Sequence, residues 1–428
     1  MEHHNPRVGR WVLMFSHDGD FDGMRQANFT EELRASRRGG SQDEAKRCGH
    51  AEFMKVGAAF DKPRPSPRFR PSLSEKPRQS RPSLMRPALL LFLACATWAS
   101  AAEKSARDFL KKPDAWYASA EAKETATILL SHQADSGGWP KNTDTVTKAY
   151  AGKRSSLQAT FDNGATLDEL RFLARVFNAT KAEAYRQAFD RGLAHVLVAQ
   201  YPHGGWPQYY PLSKQYHRHV TFNDNSMVRI MEFVREVKHD ARYAFVDAKQ
   251  RDACQTAFDK GLACILKCQI LVENKPTVWC AQHDAQTLLP TQARSYELPS
   301  FSGSESVGIV RLLMSLEKPT PEIKAAIAGA IQWFEQRQVT GIRITSVDDP
   351  KSPKGKDRVV VKDPKAPALW ARFYDLKTGQ PYFCDRDGIP KPALADIGYE
   401  RRNGYSWYGE YARDLLEKDY PKWKQANP

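Results

Sequence analysis

The sequence predicts an all-α fold, an incomplete α/α toroid of stacked helical hairpins, and three observations carry that expectation. Gly137-Gly138-Trp139-Pro140 and Gly204-Gly205-Trp206-Pro207 are near copies of one turn. Glycine admits positive φ and proline lacks an amide donor, so neither stretch continues a helix. Downstream of each turn lies a small acidic cluster, Thr160-Phe161-Asp162-Asn163 in the first copy and Thr221-Phe222-Asn223-Asp224-Asn225 in the second. Each cluster then opens a run with helical periodicity: Leu167, Leu170, Leu173, Ala174 and Phe177, then Met227, Ile230, Met231 and Val234. The repeat therefore puts an aromatic turn and a carboxylate cluster at the same end of successive helices.

Taken in order, helices are expected near 115–133, 166–178, 181–200, 224–238, 241–270, 302–317 and 320–338. The spacing of Ile309, Leu312, Leu313 and Leu316 gives the sixth of these an apolar stripe for the core. Between about 339 and 390 the pattern changes to short strand-like runs bounded by Pro, Gly and Asp. These runs are Ile342-Arg343-Ile344, Val359-Val360-Val361 and Trp370-Ala371-Arg372-Phe373-Tyr374. A last helix near 406–418 is expected to close at Pro421. Helix pairs recurring about every seventy residues suggest hairpins stacked around a ring, with Trp139, Trp206 and Trp279 marking successive turns.

The ends of the 428-residue chain differ in kind. Residues 1–84 are rich in Arg, Pro and Ser and show no sustained apolar period, so they are expected to be disordered or an over-called upstream segment. Met85-Arg86-Pro87, the apolar run 88–96 and the small-residue pattern Ala99-Ser100-Ala101 then read as a secretory signal peptide over 85–101. That run is too short for a stable membrane span. Residues 102–428 are expected to form one catalytic domain, monomeric and secreted or periplasmic. The formal net charge is +14, and a surplus persists beyond the signal, so an exported protein of this kind favours an anionic partner. No nucleic-acid-binding signature is present, which leaves an acidic polysaccharide as the better fit. Five cysteines follow the signal, Cys254, Cys264, Cys268, Cys280 and Cys384, and an odd number is no disulfide framework.

Calcium takes hard oxygen ligands, and Asp162, Asn163 and Asp224 offer them at matching positions of the two repeats. The same residue types are favoured helix N-caps, so each read alone is equally a cap. Arg294 lies in the loop Ala293-Arg294-Ser295-Tyr296-Glu297-Leu298-Pro299, where it either reaches into a cleft or pairs with Glu297. Arg372 and Arg386 sit in the strand-like region, and guanidinium forks suit the carboxylates of a uronate polymer. Asp385 and Asp387 are alternative partners for Arg386. Trp139 and Trp206, in Gly-Pro turns, are candidates for exposed stacking platforms, with Tyr209 and Tyr210. Trp407 reads as core, and His203 and His219 as structural hydrogen-bonders. Lys141, after the first Trp-Pro, meets either an anionic substrate or solvent. No G-x-S-x-G, H-E-x-x-H, P-loop or dinucleotide fingerprint competes.

Together these motifs resemble the family 10 polysaccharide lyases, which are pectate lyases. The likeness spans most of 115–420 and rests on GGWPKN at 137–142, TFDNGAT at 160–166, YPHGGWPQYYPL at 201–212 and TFNDNSM at 221–227. It continues through WCAQHD at 279–284, ARSYELPSFSGSES at 293–306, LWARFYDLKTGQPYFCDRDG at 369–388 and GYSWYGEY at 404–411. The resemblance implies an α/α toroid that cleaves polygalacturonate by calcium-dependent β-elimination. It implies Ca²⁺ on Asp162, Asn163 and Asp224 in the substrate complex, Arg294 as Brønsted base, and Arg372 and Arg386 on the substrate's carboxylates. Tyr296, Trp139, Trp206 and Lys141 are the further substrate-binding candidates. An arginine base needs a lowered pKa, which burial, Ca²⁺ and neighbouring arginines would supply, and an alkaline optimum follows. Two rivals remain at this point: an inverting glycoside hydrolase using Asp162 and Asp224 as its carboxylate pair, and a uronate-binding protein without catalysis.

Overall fold

In the computed structural model, which describes residues 104–428, the helical half is a series of hairpins. The helices are α1 (Ala120–Ser131), α2 (Leu167–Thr180), α3 (Glu183–Val198), α4 (Ser226–His239), α5 (Ala248–Cys268), α6 (Glu305–Met314) and α7 (Pro321–Gln336). The segment 1–84, expected to be disordered or over-called, and the expected signal peptide over 85–101 lie outside the described residues. α2 pairs with α3, α4 with α5 and α6 with α7. Along the series α2, α4 and α6 touch one another as an inner layer, while α1, α3 and α5 follow one another outside. Three hairpins behind one leading helix form an incomplete α/α toroid.

The apolar stripes explain this layering. Leu167, Leu170, Leu173, Ala174 and Phe177 of α2 are all buried, as are Met227, Ile230, Met231 and Val234 of α4. Ile309, Leu312 and Leu313 of α6 are buried too, and Leu316 packs against the same core just past the helix end. The expected helix over 241–270 divides in two. A 3-10 turn at Ala241–Tyr243 precedes α5, which Asp247 starts by accepting a hydrogen bond from the Gln250 amide at 2.8 Å.

The tryptophan turns prove to be fasteners. Trp139 Nε1 donates to the Leu129 carbonyl, Trp206 Nε1 to Val196 and Trp279 Nε1 to Ile265, at 2.9, 2.9 and 2.7 Å. Trp370 repeats the bond to Phe334 at 2.9 Å. Trp139 and Trp206 have no exposed surface, so the expectation that they are open platforms for sugar is corrected. The glycines of each turn are themselves buried, and the indole folds onto the helix before it. A bond the motif did not reveal runs beside each indole. Gln133, Gln200 and Gln269 each donate through Nε2 to a carbonyl of their own turn and to one on the next outer helix: Ala188, Ala257 and Ala326 respectively. A buried amide with both hydrogens bonded across adjacent hairpins fixes their spacing, and losing it strands the carbonyls it serves. The first glycine of each pair is required by the same closeness. Gly137 and Gly204 have φ of +100 and +101, and a Cβ at either would collide with the carbonyl of Arg191 or Lys260.

Beyond α7 the backbone is strand-like, as expected over 339–390. Ile342–Asp348 and Lys356–Lys362 form an antiparallel hairpin in which Ile344 faces Val360. Phe373–Asp375 pairs with Ser300–Ser302, and Trp370–Ala371 with Tyr408–Gly409. The helix expected over 406–418 is a correction. A short α8 occupies Tyr399–Gly404, the chain returns as a strand at Tyr408–Gly409, and α9 runs over Tyr420–Ala426 behind a π turn at Leu415–Asp419. Pro421 does not end a helix here. It lies just past the π turn, inside a run of helical backbone that spans 413–426 unbroken. All five cysteines of the described residues are free and buried.

Candidate functional site

The outer helices α1, α5 and α7 are capped by the side chains of Ser119, Asp247 and Thr320. The inner helices α2, α4 and α6 have no side-chain cap. Their leading residues instead form two short 3-10 turns, Asp162–Gly164 and Asn223–Asn225, which lie in contact. The N-cap alternative for these residues is thereby set aside. Asn163, Asp224 and Asn225 have φ of 54, 51 and 60, a left-handed backbone that Asn and Asp tolerate better than other side chains. The backbone bend spends the residue type that would cap, and leaves the side-chain oxygens for something else.

Asp162 is buried; Lys141 holds its Oδ2 as an ion pair, while its Oδ1 has no hydrogen-bond partner. Lys141, still 24% exposed, thus pairs with one of the candidate ligands. Asp224 is 42% exposed; its Oδ2 accepts from Asn223 Nδ2 at 2.8 Å and its Oδ1 lies 3.3 Å from Arg372 Nη2. Asn163 is exposed. An unpartnered buried carboxylate oxygen beside exposed amide and carboxylate oxygens fits a hard divalent cation. Among the described residues no three His, Cys, Asp or Glu converge as a metal cage. A cation here would have two carboxylates and an amide oxygen from the protein, and would fill its shell with water and substrate oxygens.

A third turn stands in the same place before α6, where Phe301-Ser302-Gly303-Ser304 leads to Glu305. Glu305 is buried and binds the Ser302 hydroxyl and Arg372 Nη2. Sequence reasoning gave Glu305 no role; its one signal was the phenylalanine that opens all three turns. Arg372, only 11% exposed, is thus held from below by Glu305 and from the side by Asp224.

The arginines come together over two tyrosine rings. Arg294 lies 5.1 Å above Tyr296 and 5.5 Å from Tyr405; Arg372 is 5.0 Å from Tyr405; Arg386 is 5.9 Å and Arg401 4.6 Å from Tyr296. Tyr296 is buried beneath them, so it supports guanidinium groups and offers no open face to a sugar. Tyr405 links the rack to its anchor, since its hydroxyl donates to Glu297 Oε1 at 2.6 Å. Glu297 grips Arg294 through both carboxylate oxygens, with Nε donating at 2.8 Å. Arg294 is still 38% exposed, so the Glu297 pairing and a reach into the cleft coexist. Arg386, 66% exposed, pairs with Glu400 rather than with Asp385 or Asp387, whose carboxylates take the Gly398 and Ile389 amides.

The charge balance corrects one expectation. Burial pulls the Arg294 pKa down, but its paired hydrogen bonds to Glu297 and the charge of that carboxylate hold it above the ordinary guanidinium value. Arg372 is likewise lowered by burial and raised further by Glu305 and Asp224, with a net rise. Neither arginine has the lowered pKa that the base assignment asks for in the protein alone.

The open aromatic surface lies elsewhere than at the tryptophans. Tyr209, Tyr216 and His217 are half-buried; Tyr216 and His217 stack at 3.9 Å, and Lys141 lies 5.7 Å over Tyr209. His217 has its pKa lowered by burial first and then by the charge of Lys141, with Arg294 adding to the same effect. Tyr210 instead packs edge-on to His195. Trp407 is core, and His203 and His219 both bond the Ala285 backbone, as expected. No helix among the described residues is long and apolar enough to cross a membrane.

A family model described as pectic acid lyase matches residues 133–416. Among solved structures the chain is similar to a family 10 polysaccharide lyase from Cellvibrio cellulosa, at 34% identity and a TM-score of 0.63, over 75% of this chain and 96% of that one. It is also similar to an aspartate-to-alanine mutant of a family 10 polysaccharide lyase from the same organism, solved in complex with trigalacturonic acid. The identity there is 33% and the TM-score 0.63, over 76% and 97% of the two chains. No curated protein matches the chain.

Proposed function

The chain belongs to the pectic acid lyase family and is a pectate lyase, and from that premise we propose that it cleaves polygalacturonate by β-elimination, with Arg294 as base opposite a Ca²⁺ held by Asp162, Asn163 and Asp224. One observation carries the reading: contacts run unbroken from Asp224 through Arg372 and Tyr405 to Arg294, so a cation ligand and a guanidine belong to one connected site.

The chemistry asks that wall to remove a weakly acidic proton. C5 of a galacturonate unit carries a carboxylate that is already negative, and more charge builds there as the proton leaves. Bound Ca²⁺ would supply positive charge to that carboxylate. Arg372 and Arg386 present forks that a uronate carboxylate can accept in place of, or beside, Glu305 and Glu400. The proton at C5 passes to Arg294, the electron pair left on C5 forms the C4–C5 double bond, and the C4 glycosidic oxygen departs with the bonding pair. The product is an unsaturated uronate at one new end.

Arg294 accepts that proton only in its neutral form. Glu297 works against deprotonation, whereas a divalent cation and the guanidinium groups of Arg372, Arg386 and Arg401 work toward it. Activity should therefore rise with pH through the alkaline range. We place the enzyme outside the cytoplasm, secreted or periplasmic, on the sequence of 85–101 and the nature of its polymer.

The test is to incubate the protein with polygalacturonate, with and without a chelator, following ultraviolet absorbance and reducing ends. Metal-dependent growth of both is expected. Reducing ends without absorbance would mean hydrolysis, and neither signal would mean binding without catalysis. Full activity after exhaustive metal removal would defeat the calcium assignment while leaving the lyase reaction intact.

A further inference from the structure

Arg107 comes from a 3-10 turn at Ala106–Phe109, ahead of the residues that match the family model. It reaches across sixty residues of sequence, on the order of a whole hairpin, to the Asp162–Gly164 turn. Its Nη2 donates to the Asn163 carbonyl at 2.6 Å and its Nε to Asp168 Oδ2 at 2.8 Å. Asn163 and Gly164 both have positive φ, so the Asn163 carbonyl lies in a bent turn rather than in a regular helix. Asp168 is in turn steadied by Arg171 on the same helix, at 3.5 Å. Ser105, Arg107, Lys141, Asp162, Asn163 and Asp168 line one cavity of about 270 Å³. The second acidic turn has a counterpart brace, because Arg372 Nη2 lies 3.3 Å from both Asn223 Oδ1 and Asp224 Oδ1.

We propose that Arg107 is a positioning residue that clamps the Asp162–Asn163 turn in its cation-binding geometry. The inference rests on the calcium reading given above. A turn held by one guanidinium fork through a carbonyl and a carboxylate cannot relax about Asn163, so the oxygens of Asp162 and Asn163 stay aimed before any cation arrives. Ordering them in advance removes a cost that binding would otherwise carry.

The sign of the effect separates this role from plain electrostatics. Arg107 is a positive charge close to the candidate ligands. By Coulomb's law alone, deleting it would tighten the binding of a cation. A clamp predicts the reverse.

The experiment uses the full chain as wild type, Arg107→Ala and Arg107→Lys. Calcium titrations of polygalacturonate cleavage give the half-saturating concentration and the turnover number. Calorimetry gives Ca²⁺ affinity directly with trigalacturonate present, in an Arg294→Ala background that blocks turnover. Thermal unfolding checks the fold, and the lysine variant keeps the charge and most of the stem packing if the alanine variant proves unstable. The expected result is a half-saturating Ca²⁺ concentration raised by about tenfold or more in both variants, equivalent to about 1.4 kcal/mol. Calorimetry should agree, and turnover at saturating Ca²⁺ should stay within about threefold, as for a group that acts through another. If the wild type needs Ca²⁺, an unchanged or lowered Ca²⁺ requirement in both variants overturns the clamp alone. A wild type indifferent to Ca²⁺ overturns the calcium reading and the clamp with it.

Discussion

Residues up to Cys268 give the cleft its oxygens, on turns that open the inner helices α2 and α4. Residues from Arg294 onward give it guanidinium groups, on irregular backbone stacked over Tyr296 and Tyr405. The first wall is rigid because Trp139, Trp206 and the Gln133 and Gln200 amides lock each hairpin to the next. The second has little regular structure, and its order comes from paired charges: Arg294 with Glu297, Arg372 with Glu305, Arg386 with Glu400. The contrast teaches that the two walls answer differently to solvent. Packing sets the helices that carry the oxygens, whereas the guanidinium groups are set by carboxylates that substrate and proton can both compete for.

The sharpest way to break this comparison is to remove one group from each wall. Arg294→Ala should reduce kcat by roughly a thousandfold, the range of a lost general base, and added Ca²⁺ should not restore it. Asp162→Ala should cost roughly a hundredfold at low Ca²⁺, since one liganding carboxylate goes but Asp224 and the Asn163 amide oxygen remain. Raising Ca²⁺ should recover part of that loss. Initial rates across a calcium series decide the matter, and equal rescue of both variants would mean the walls do not divide the work as described.

A finer test acts on the charge pairing. Glu297→Gln keeps the shape of the Arg294 partner but removes its charge and weakens the paired hydrogen bonds, the two effects by which Glu297 raises the arginine's pKa. The neutral form of Arg294 should then be reached at lower pH, and the alkaline limb of the pH–rate profile should move down by about one unit. A limb that stays where it was would exclude Arg294 as the titrating base, whatever the variant does to the height of the profile.

The first wall was also the more legible in sequence, and for a physical reason. Apolar periodicity reports which face of a helix is buried, so α2, α4 and α6 could be placed from Leu167, Met227 and Ile309 onward. The paired Asp/Asn turns stood out because they repeat. Burial of Trp139 and Trp206 was misread because Gly and Pro report backbone direction and say nothing of where an indole tucks. Gln133, Gln200 and Gln269 passed unseen, because an amide that bridges two helices has no period of its own within either. Glu305 was hidden since the third turn replaces Asp and Asn with Ser302, Gly303 and Ser304. The partners of the arginines were the least legible. Glu400 meets Arg386 through a return of the chain that no local pattern specifies, and the nearer Asp385 and Asp387 are occupied by backbone amides.

The smallest expected effect concerns the floor of the first wall. Glu169, in the first turn of α2, is fully buried, and its pKa is raised to about 8 by burial first and by the charge of Asp168 second. Its ordinary value is 4.5, so between these limits the folded protein keeps a proton that the unfolded chain has lost. A raised folded pKa contributes stability that is fully present below about 4.5 and disappears as pH climbs through about 8. The slope over that window is at most about 1.4 kcal/mol per pH unit. An enzyme whose base favours alkaline solution thus works where Glu169 stabilises it least. Glu169→Gln removes the titration, so its melting temperature should fall less than that of the wild type between neutral and alkaline pH. Parallel melting curves for the two proteins across that range would show that Glu169 is ionised in the fold. The buried floor would then have to hold a compensating charge, with Arg107, whose charge already works to lower the Glu169 pKa, the candidate.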